Sequence, residues 1–334
     1  MMKSAIIGFG TISVVHMDAI AGNPGMELAA ICDVNEALAA KVPAGVKFYT
    51  DYKQMVREVK PDVVHICLPH YLHYPVTKEL VEMGCNVFCE KPIALNSREA
   101  ELFCDLEKAH PEVKIGVCLQ NRMNETTEEL KRIIDSGEYG AVIGARGFVP
   151  WQRTKSYYDA QPWRGTWKYA GGGSMINQSL HTLDLLYYLC GDVKKLHAVV
   201  GQTNEYGIEV EGDVIARLEF ANGANGLFFA TNNNWTNESV QIRVALEKGV
   251  FHIEDNTLYK INKDSSREVI CKAPVLEGIK FYYGASHTRM IERFRKAVES
   301  GSDDYIHVKD AVMVIRLMET IFQSGREDKL IDVI

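Results

Sequence analysis

Along the first third of the chain, short and nearly continuous apolar runs alternate with stretches in which apolar residues recur three and four positions apart. The runs are KSAIIGFG, MELAAICD, PDVVHICLP, CNVFCEKP and VKIGVCLQ. Unbroken apolar character, in place of alternation, marks strands whose sheet is covered by helices on both faces. The segments between them carry helix punctuation. TISVVHMDAIAG opens after a glycine turn and stops at Gly22. YPVTKELVEMG stops at Gly84, where a left-handed C-cap favours glycine, and Asn96 is placed to cap SREAELFCDLEKA. This order predicts strand-helix-strand units and a parallel sheet.

Past about residue 120 the texture changes. Polar and aromatic stretches give way to VIGARGFVPW, LHAVVGQT, VIARLEFA, NGLFFATN, VQIRVALEK and GVFHIED, whose alternation suits an antiparallel sheet. Two amphipathic helices are predicted at the end, from about His287 to Glu299 and from about Val308 to Gln323. The chain therefore divides into residues 1–120, an α/β domain with a parallel sheet, and residues 121–334, an α/β domain with a large, open, mostly antiparallel sheet. The C-terminal helices are candidates to return to the first domain. No internal repeat or low-complexity segment interrupts the pattern.

Composition narrows the function class. The 334 residues hold 37 Lys plus Arg against 44 Asp plus Glu, a net charge of −7, and no basic block, which argues against nucleic acid and membrane surfaces as partners. Hydrophobic residues at 46% and charged residues at 24% are those of a folding globular chain and argue against disorder. No apolar stretch is long enough to span a bilayer, and MMKSAIIGFG reads as a strand and not as an export signal. A cytoplasmic location follows as the expectation. The eight cysteines then read as free thiols. Cys85 and Cys89 have no second pair at zinc-ligand spacing, so no metal is expected.

Gly8-Phe9-Gly10-Thr11-Ile12-Ser13 follows the first strand and opens the first helix. Gly8 permits the tight turn, Gly10 lets the backbone approach a pyrophosphate, and the helix N-terminus at Thr11 and Ile12 faces that anion. Ser13 stands where a third glycine is usual. Asp33 ends the second strand, where a carboxylate would bind the ribose hydroxyls and repel a 2′-phosphate. The predicted cofactor is NAD, with NADP kept open by Lys41.

Pro69 and His73 follow the PDVVHICLP strand, and Glu90-Lys91-Pro92 ends CNVFCEKP. Ligands of open parallel sheets bind beyond the carboxyl ends of the strands, so Lys91 would point into the cofactor crevice and stabilise negative charge developing on a substrate oxygen. Taken alone, a solvated surface lysine is the favoured reading of this residue. Glu90 and His73 are supporting residues at the cofactor site, with strand orientation and helix capping as their structural alternatives. In GGGSMINQSLHTLDLLYYLCG, Asn177, His181, Asp184 and Tyr188 recur at three- and four-residue intervals on a helix. His181, with an ordinary pKa of about 6.5, is the candidate base for a hydroxyl proton. On this segment alone, a structural histidine bonded to Asp184 fits as well.

GFGTIS, CLPHYLH, CEKP, LQNR at 119–122, and GGG followed by the H-x-x-D of His181 and Asp184 together resemble the Gfo/Idh/MocA oxidoreductases, the glucose-fructose oxidoreductase and inositol dehydrogenase group. The match runs over essentially the whole chain. It implies a Rossmann domain, a C-terminal domain whose sheet often serves as an oligomer interface (a homodimer or homotetramer here), and a lysine and histidine acting on a substrate alcohol. In that setting Gln120 and Asn121 border the cofactor and Arg122 the substrate. Two departures stand out. Asn177 occupies a position where many relatives carry Asp; an amide can orient a hydroxyl but cannot act as base, which shifts the base role onto His181 and weakens the inositol reading. The M-x-NQ arrangement instead resembles members acting on sugars. Gly84-Cys85-Asn86 replaces the commoner Gly-Lys-His, a change with no evident reading.

The loop PWQRTKSYYDAQPWRGTWKYAGGG crowds three of the four tryptophans ahead of the His181 helix. Trp151, Tyr157 and Trp163 could cover the C–H face of a sugar, and Arg153 and Arg164 bind hydroxyls or an anionic group. A loop anchored by its own aromatics is the structural alternative. Tyr283 and His287 are weaker candidates for the same pocket. The expected protein is an NAD-dependent dehydrogenase acting on a secondary alcohol of a sugar, sugar derivative or polyol. Its alternatives are an NAD-recycling glycosidase or epimerase and a non-catalytic NAD-dependent sugar sensor.

Overall fold

The computed structural model describes residues 1–274 and 286–333. They form two compact units: one comprises Met1–Gln120 and the C-terminal segment up to Val312, the other runs from Asn121 onward and resumes at Met313.

In the first unit the apolar runs become β1 (Met2–Ile7), β2 (Met26–Cys32), β4 (Val63–Ile66), β5 (Asn86–Cys89) and β6 (Ile115–Val117), with β3 (Lys47–Tyr49) added at the edge. Every pairing is parallel, in the order β3-β2-β1-β4-β5-β6. Ala5, Ile6, Val64, Ile66, Val87 and Phe88 are buried, as strands covered on both faces require. Between the strands run α1 (Ser13–Ala21), α2 (Tyr52–Val59), α3 (His73–Glu82) and α4 (Ser97–Ala109). Asn96 caps α4, accepting from the Glu99 N–H at 2.9 Å, and Gly84 takes φ +82° after α3. β3 and α2 lie outside the sequence expectation, since β3 is only three residues long and half-exposed. The signal for α2 was Asp51, which accepts from the N–H groups of Lys53 and Gln54. The order reverses between β1 and β4, the place where such sheets open a crevice at their carboxyl ends.

The second unit contains α5 (Glu125–Asp135), β7 (Val142–Pro150), α6 (Lys155–Asp159), α7 (Trp167–Ala170), α8 (Leu180–Cys190), β8 (Val193–Gly201), β9 (Asp213–Phe220), β10 (Asn225–Thr231), β11 (Gln241–Leu246), β12 (Gly249–Glu254), β13 (Thr257–Ile261) and β14 (Arg267–Lys272). After α9 (Ser286–Ser300) in the first unit, α10 (Val308–Glu327) leads to β15 (Ile331–Asp332) in the second. The nine strands are ordered β14-β13-β12-β11-β7-β10-β9-β8-β15. All neighbours are antiparallel except β7 and β10, which run parallel because the long α6-to-β9 connection returns the chain in the direction it left. One face packs under α8: a Cβ on Gly147 of β7 would stand 2.7 Å from Thr182 Cγ2. The other face leaves Ile143, Val199 and Ile215 exposed by half or more, at 54%, 61% and 50%. Among the described residues, no helix is long and apolar enough to cross a membrane.

Candidate functional site

The turn after β1 is a cradle for a nucleotide. Gly8 has φ +93°, and a Cβ there would meet Cys67 O at 2.5 Å, so only glycine fits. At Gly10, by contrast, a Cβ would meet nothing within 4 Å, which leaves the backbone open to a ligand. Ser13 Oγ donates to the Gly10 carbonyl at 2.6 Å, the work its small side chain does in the third-glycine position. Ile12 precedes α1 and no side chain caps the helix, which suits its N-terminus to an anion. Asp33 accepts from Phe9 N–H at 2.8 Å and Asn35 N–H at 2.9 Å, one bond per oxygen, which keeps lone pairs for ribose hydroxyls. Tight glycine, open glycine, uncapped helix and acidic strand end fit a dinucleotide.

Lys91 follows β5 at the same carboxyl edge of the sheet, and its neighbours are held from two sides. Both ring nitrogens of buried His73 face carbonyl oxygens, Pro92 O at 2.6 Å and Leu68 O at 2.8 Å. His73 thus fixes the turn after Lys91 to the end of β4, ahead of Pro69. Glu90 is buried. Its Oε1 lies 2.9 Å from His16 Nε2 and 3.7 Å from His287 Nε2, and its Oε2 accepts from the Lys91 N–H at 3.2 Å. Burial alone would raise this carboxyl, but His16 and His287 outweigh it and hold it well below the usual range. His65, whose Nδ1 is 3.1 Å from His16 Nδ1, is pushed far down by burial and by His16. Cys118 brings a third metal-type ligand atom to His16 and Glu90, all within 4.8 Å, although His16 and Glu90 already close on each other directly. Cys118 Sγ also lies 3.6 Å from Oε1 of buried Gln120.

In the second unit, Met175–Ser179 form a π-type turn that leads into α8, a rare geometry often found at functional sites. Asn177 lies within it and His181 just after, so the regular helical face expected from their spacing is reset at this turn. Asp184 is taken by Arg122, which donates to both carboxylate oxygens at 2.9 and 2.6 Å and stacks over Tyr188 at 4.9 Å. Arg122 is therefore spent on the helix, with Asn121 beside it in the short turn Gln120–Met123.

The start of this segment hangs on Glu211, which sequence reasoning missed. Its two oxygens accept from Gly173 N–H at 2.8 Å and Met175 N–H at 2.9 Å, while its backbone carbonyl accepts from Ser174 N–H. A Cβ on Gly173 would stand 2.0 Å from Glu211 O. Burial pushes the Glu211 carboxyl up to about 7 against the pull of these N–H groups. His16, which the sequence reading did not single out, lies on the buried face of α1 with Ser13, Ala19 and Ile20.

The aromatic loop folds onto the π turn. Tyr157 OH accepts from Gln178 Nε2 at 3.0 Å, and Asn232 links Gln178 Oε1 to Tyr158 OH. Arg153 and Arg164 both lie over the Tyr157 ring, at 5.4 and 4.3 Å, with Trp151 beyond Arg153 and Trp163 beyond Arg164. His287 belongs to the Glu90 cluster, and Tyr283 lies outside the described residues.

Comparison with known proteins places these features in a family. A model described as the Oxidoreductase family, NAD-binding Rossmann fold, matches residues 2–117, and one for the GFO/IDH/MocA C-terminal domain matches residues 127–252. The chain is 29% identical to D-glucoside 3-dehydrogenase of Escherichia coli over 66% of its own length and 68% of that protein. Levoglucosan dehydrogenase of Pseudarthrobacter phenanthrenivorans is 23% identical across 99% of this chain and 98% of its own. The WlbA dehydrogenase of Bordetella pertussis, solved with NADH and UDP-GlcNAcA, superposes with a TM-score of 0.86 at 25% identity, covering 100% of this chain and 99% of that one. The glycine cradle, its acidic strand end and the open second sheet are those of an NAD-binding oxidoreductase, and the chain belongs to the GFO/IDH/MocA family.

Proposed function

We propose that the protein oxidises a secondary alcohol of a sugar or sugar derivative. The observation that carries this reading is the shared carboxyl edge of the first sheet, where the nucleotide cradle of Gly8, Gly10 and Asp33 and the doubly anchored Glu90-Lys91-Pro92 turn both stand. Bound NAD supplies the hydride acceptor. His181 takes the hydroxyl proton, the Lys91 ammonium donates to the same oxygen as it becomes an alkoxide, and Asn177 orients a hydroxyl without accepting a proton. Trp151, Tyr157 and Trp163 cover the sugar, and the names of the relatives, glucoside, levoglucosan and inositol dehydrogenases, support that substrate class.

NAD is favoured over NADP because a carboxylate at Asp33 repels a 2′-phosphate, although one relative is named for NADP. The exposed apolar side chains Val199 and Ile215 support a homodimer or homotetramer formed through the second sheet. Eight free thiols suit the cytoplasm.

The test is a panel of sugars, inositols and glycosides scored for NAD reduction, with product analysis under trace NAD. His181→Ala should lose about 10²- to 10⁴-fold in turnover while NADH still binds. Lys91→Ala should depress turnover more than NADH affinity. Full activity in His181→Ala would overturn the assignment. Product without net NADH would point to a recycling enzyme, and sugar binding without turnover to a sensor.

A further inference from the structure

In a chain of net charge −7, Arg122, Arg132, Arg217, Arg267, Arg293 and Arg295 each face a carboxylate within 4.0 Å. Arg153 and Arg164, like Arg57, Arg98, Arg146, Arg243 and Arg326, are not in this set, and they differ from those in lying together on one aromatic ring. Arg153 donates to Gln152 O at 2.6 Å and Asn237 Oδ1 at 2.9 Å, and Arg164 to Tyr157 O at 3.2 Å, all neutral acceptors. Among the described residues neither guanidinium has a carboxylate at ion-pair distance. Each has five N–H donors and keeps most of them unspent. What holds the two cations together is aromatic: both stack on Tyr157, and Trp151 and Trp163 flank them. Stacking fixes the guanidinium planes while leaving their edges free for a planar or tetrahedral oxyanion.

Their location gives the cations a use. The Tyr157 hydroxyl is bonded to Gln178, the neighbour of Asn177 in the π turn that precedes His181. Two uncompensated positive charges therefore sit one side chain away from the segment assigned to the substrate alcohol. A neutral sugar would leave both charges unmatched.

We propose that Arg153 and Arg164 form an anion-recognition site and that the substrate is an acidic sugar, carrying a carboxylate or a phosphate. This rests on the sugar-dehydrogenase reading above and narrows it. Tyr157 acts as the rigid spacer that holds the two guanidiniums in one site.

The experiment compares matched pairs that differ in the anionic group: glucose with glucuronate, glucose with glucose 6-phosphate, and UDP-glucose with UDP-glucuronate. NAD-linked turnover and equilibrium binding to the NADH-loaded protein are both read. An acidic member should exceed its neutral twin by about 10- to 100-fold in kcat/KM or affinity, the worth of one or two charge-assisted hydrogen bonds. Which pair shows the preference separates carboxylate from phosphate recognition. Raising the salt concentration should erode the preference in the unmodified protein, where folding of a variant is not in question. In Arg153→Gln/Arg164→Gln the acidic-to-neutral ratio should fall toward one, and Arg164→Lys should recover it only in part, since an ammonium lacks the planar fork. Neutral twins handled as well as acidic ones would overturn the anion site while leaving the dehydrogenase reading intact. Neither turnover nor binding of any sugar would instead overturn the reading on which it rests.

Discussion

Each unit buries one glutamate next to the segment assigned to chemistry, and the two are treated in opposite ways. Glu90, beside Lys91, is surrounded by imidazoles and held ionised far below the usual range. Glu211, behind Asn177 and His181, meets backbone N–H groups and the neutral Ser174 side chain but no cation, and burial pushes it up to about 7. Its charge also reaches the Tyr158 hydroxyl, which burial already pushes up. Backbone dipoles orient a carboxylate but do not neutralise it, whereas a histidine shares the charge. The first arrangement gives a fixed strand end. The second gives a helix start whose anchor changes charge near neutral pH.

The largest effect should come from breaking the first arrangement. Glu90→Ala strands His16 and His287 in the core and should cost about 3–5 kcal/mol, nearer the lower figure because imidazoles can shed their protons. Far-UV circular dichroism during urea unfolding reads this. An unchanged midpoint would mean that the cluster is not a paired charge at all.

Gly173→Ala tests the second arrangement, because its Cβ would be driven to 2.0 Å from the Glu211 carbonyl. A cost of about 1–3 kcal/mol is expected, with turnover falling further than NADH affinity. All four tryptophans lie in the second unit, so their fluorescence follows the unfolding that matters here.

The smallest effect sharpens the contrast through pH. Glu211 is raised from the usual 4.5 to about 7, so the folded state holds its proton more tightly than the unfolded chain does. Its contribution to stability should therefore increase as pH falls from about 7 toward 4.5. Glu90 has the opposite sign: its contribution is complete above the unfolded value and is lost as pH falls through the depressed folded one. Glu211→Gln should flatten the tryptophan-monitored midpoint between pH 8 and pH 6 by on the order of 1 kcal/mol. The same slope in variant and parent would assign the effect to another group.

The nucleotide cradle was legible in the sequence because its parts are local. Strand, Gly8, Gly10, helix and Asp33 fall within one strand-helix-strand unit, where spacing along the chain translates directly into position in space. The capping by Asn96, the left-handed Gly84 and both apolar strand sets were readable for the same reason. Periodicity failed where a local rule was broken: the π turn at Met175–Ser179 displaced the regular face drawn through Asn177 and His181, and β3 was too short to show a pattern.

By itself, then, the sequence determined two sheets of different kinds, a dinucleotide cradle, and which loop concentrates arginine and tryptophan. Only the tertiary structure decided what each polar side chain is paired with. Glu90 meets His16 and His287, Arg122 closes on Asp184, and Glu211 reaches back to Gly173 and Met175. Arg153 and Arg164 meet aromatic rings in place of carboxylates. A residue's type and local spacing fix its secondary structure, but its charge partner arrives from a distant strand or helix, and that partner decides whether it is ionised, occupied or available for a ligand.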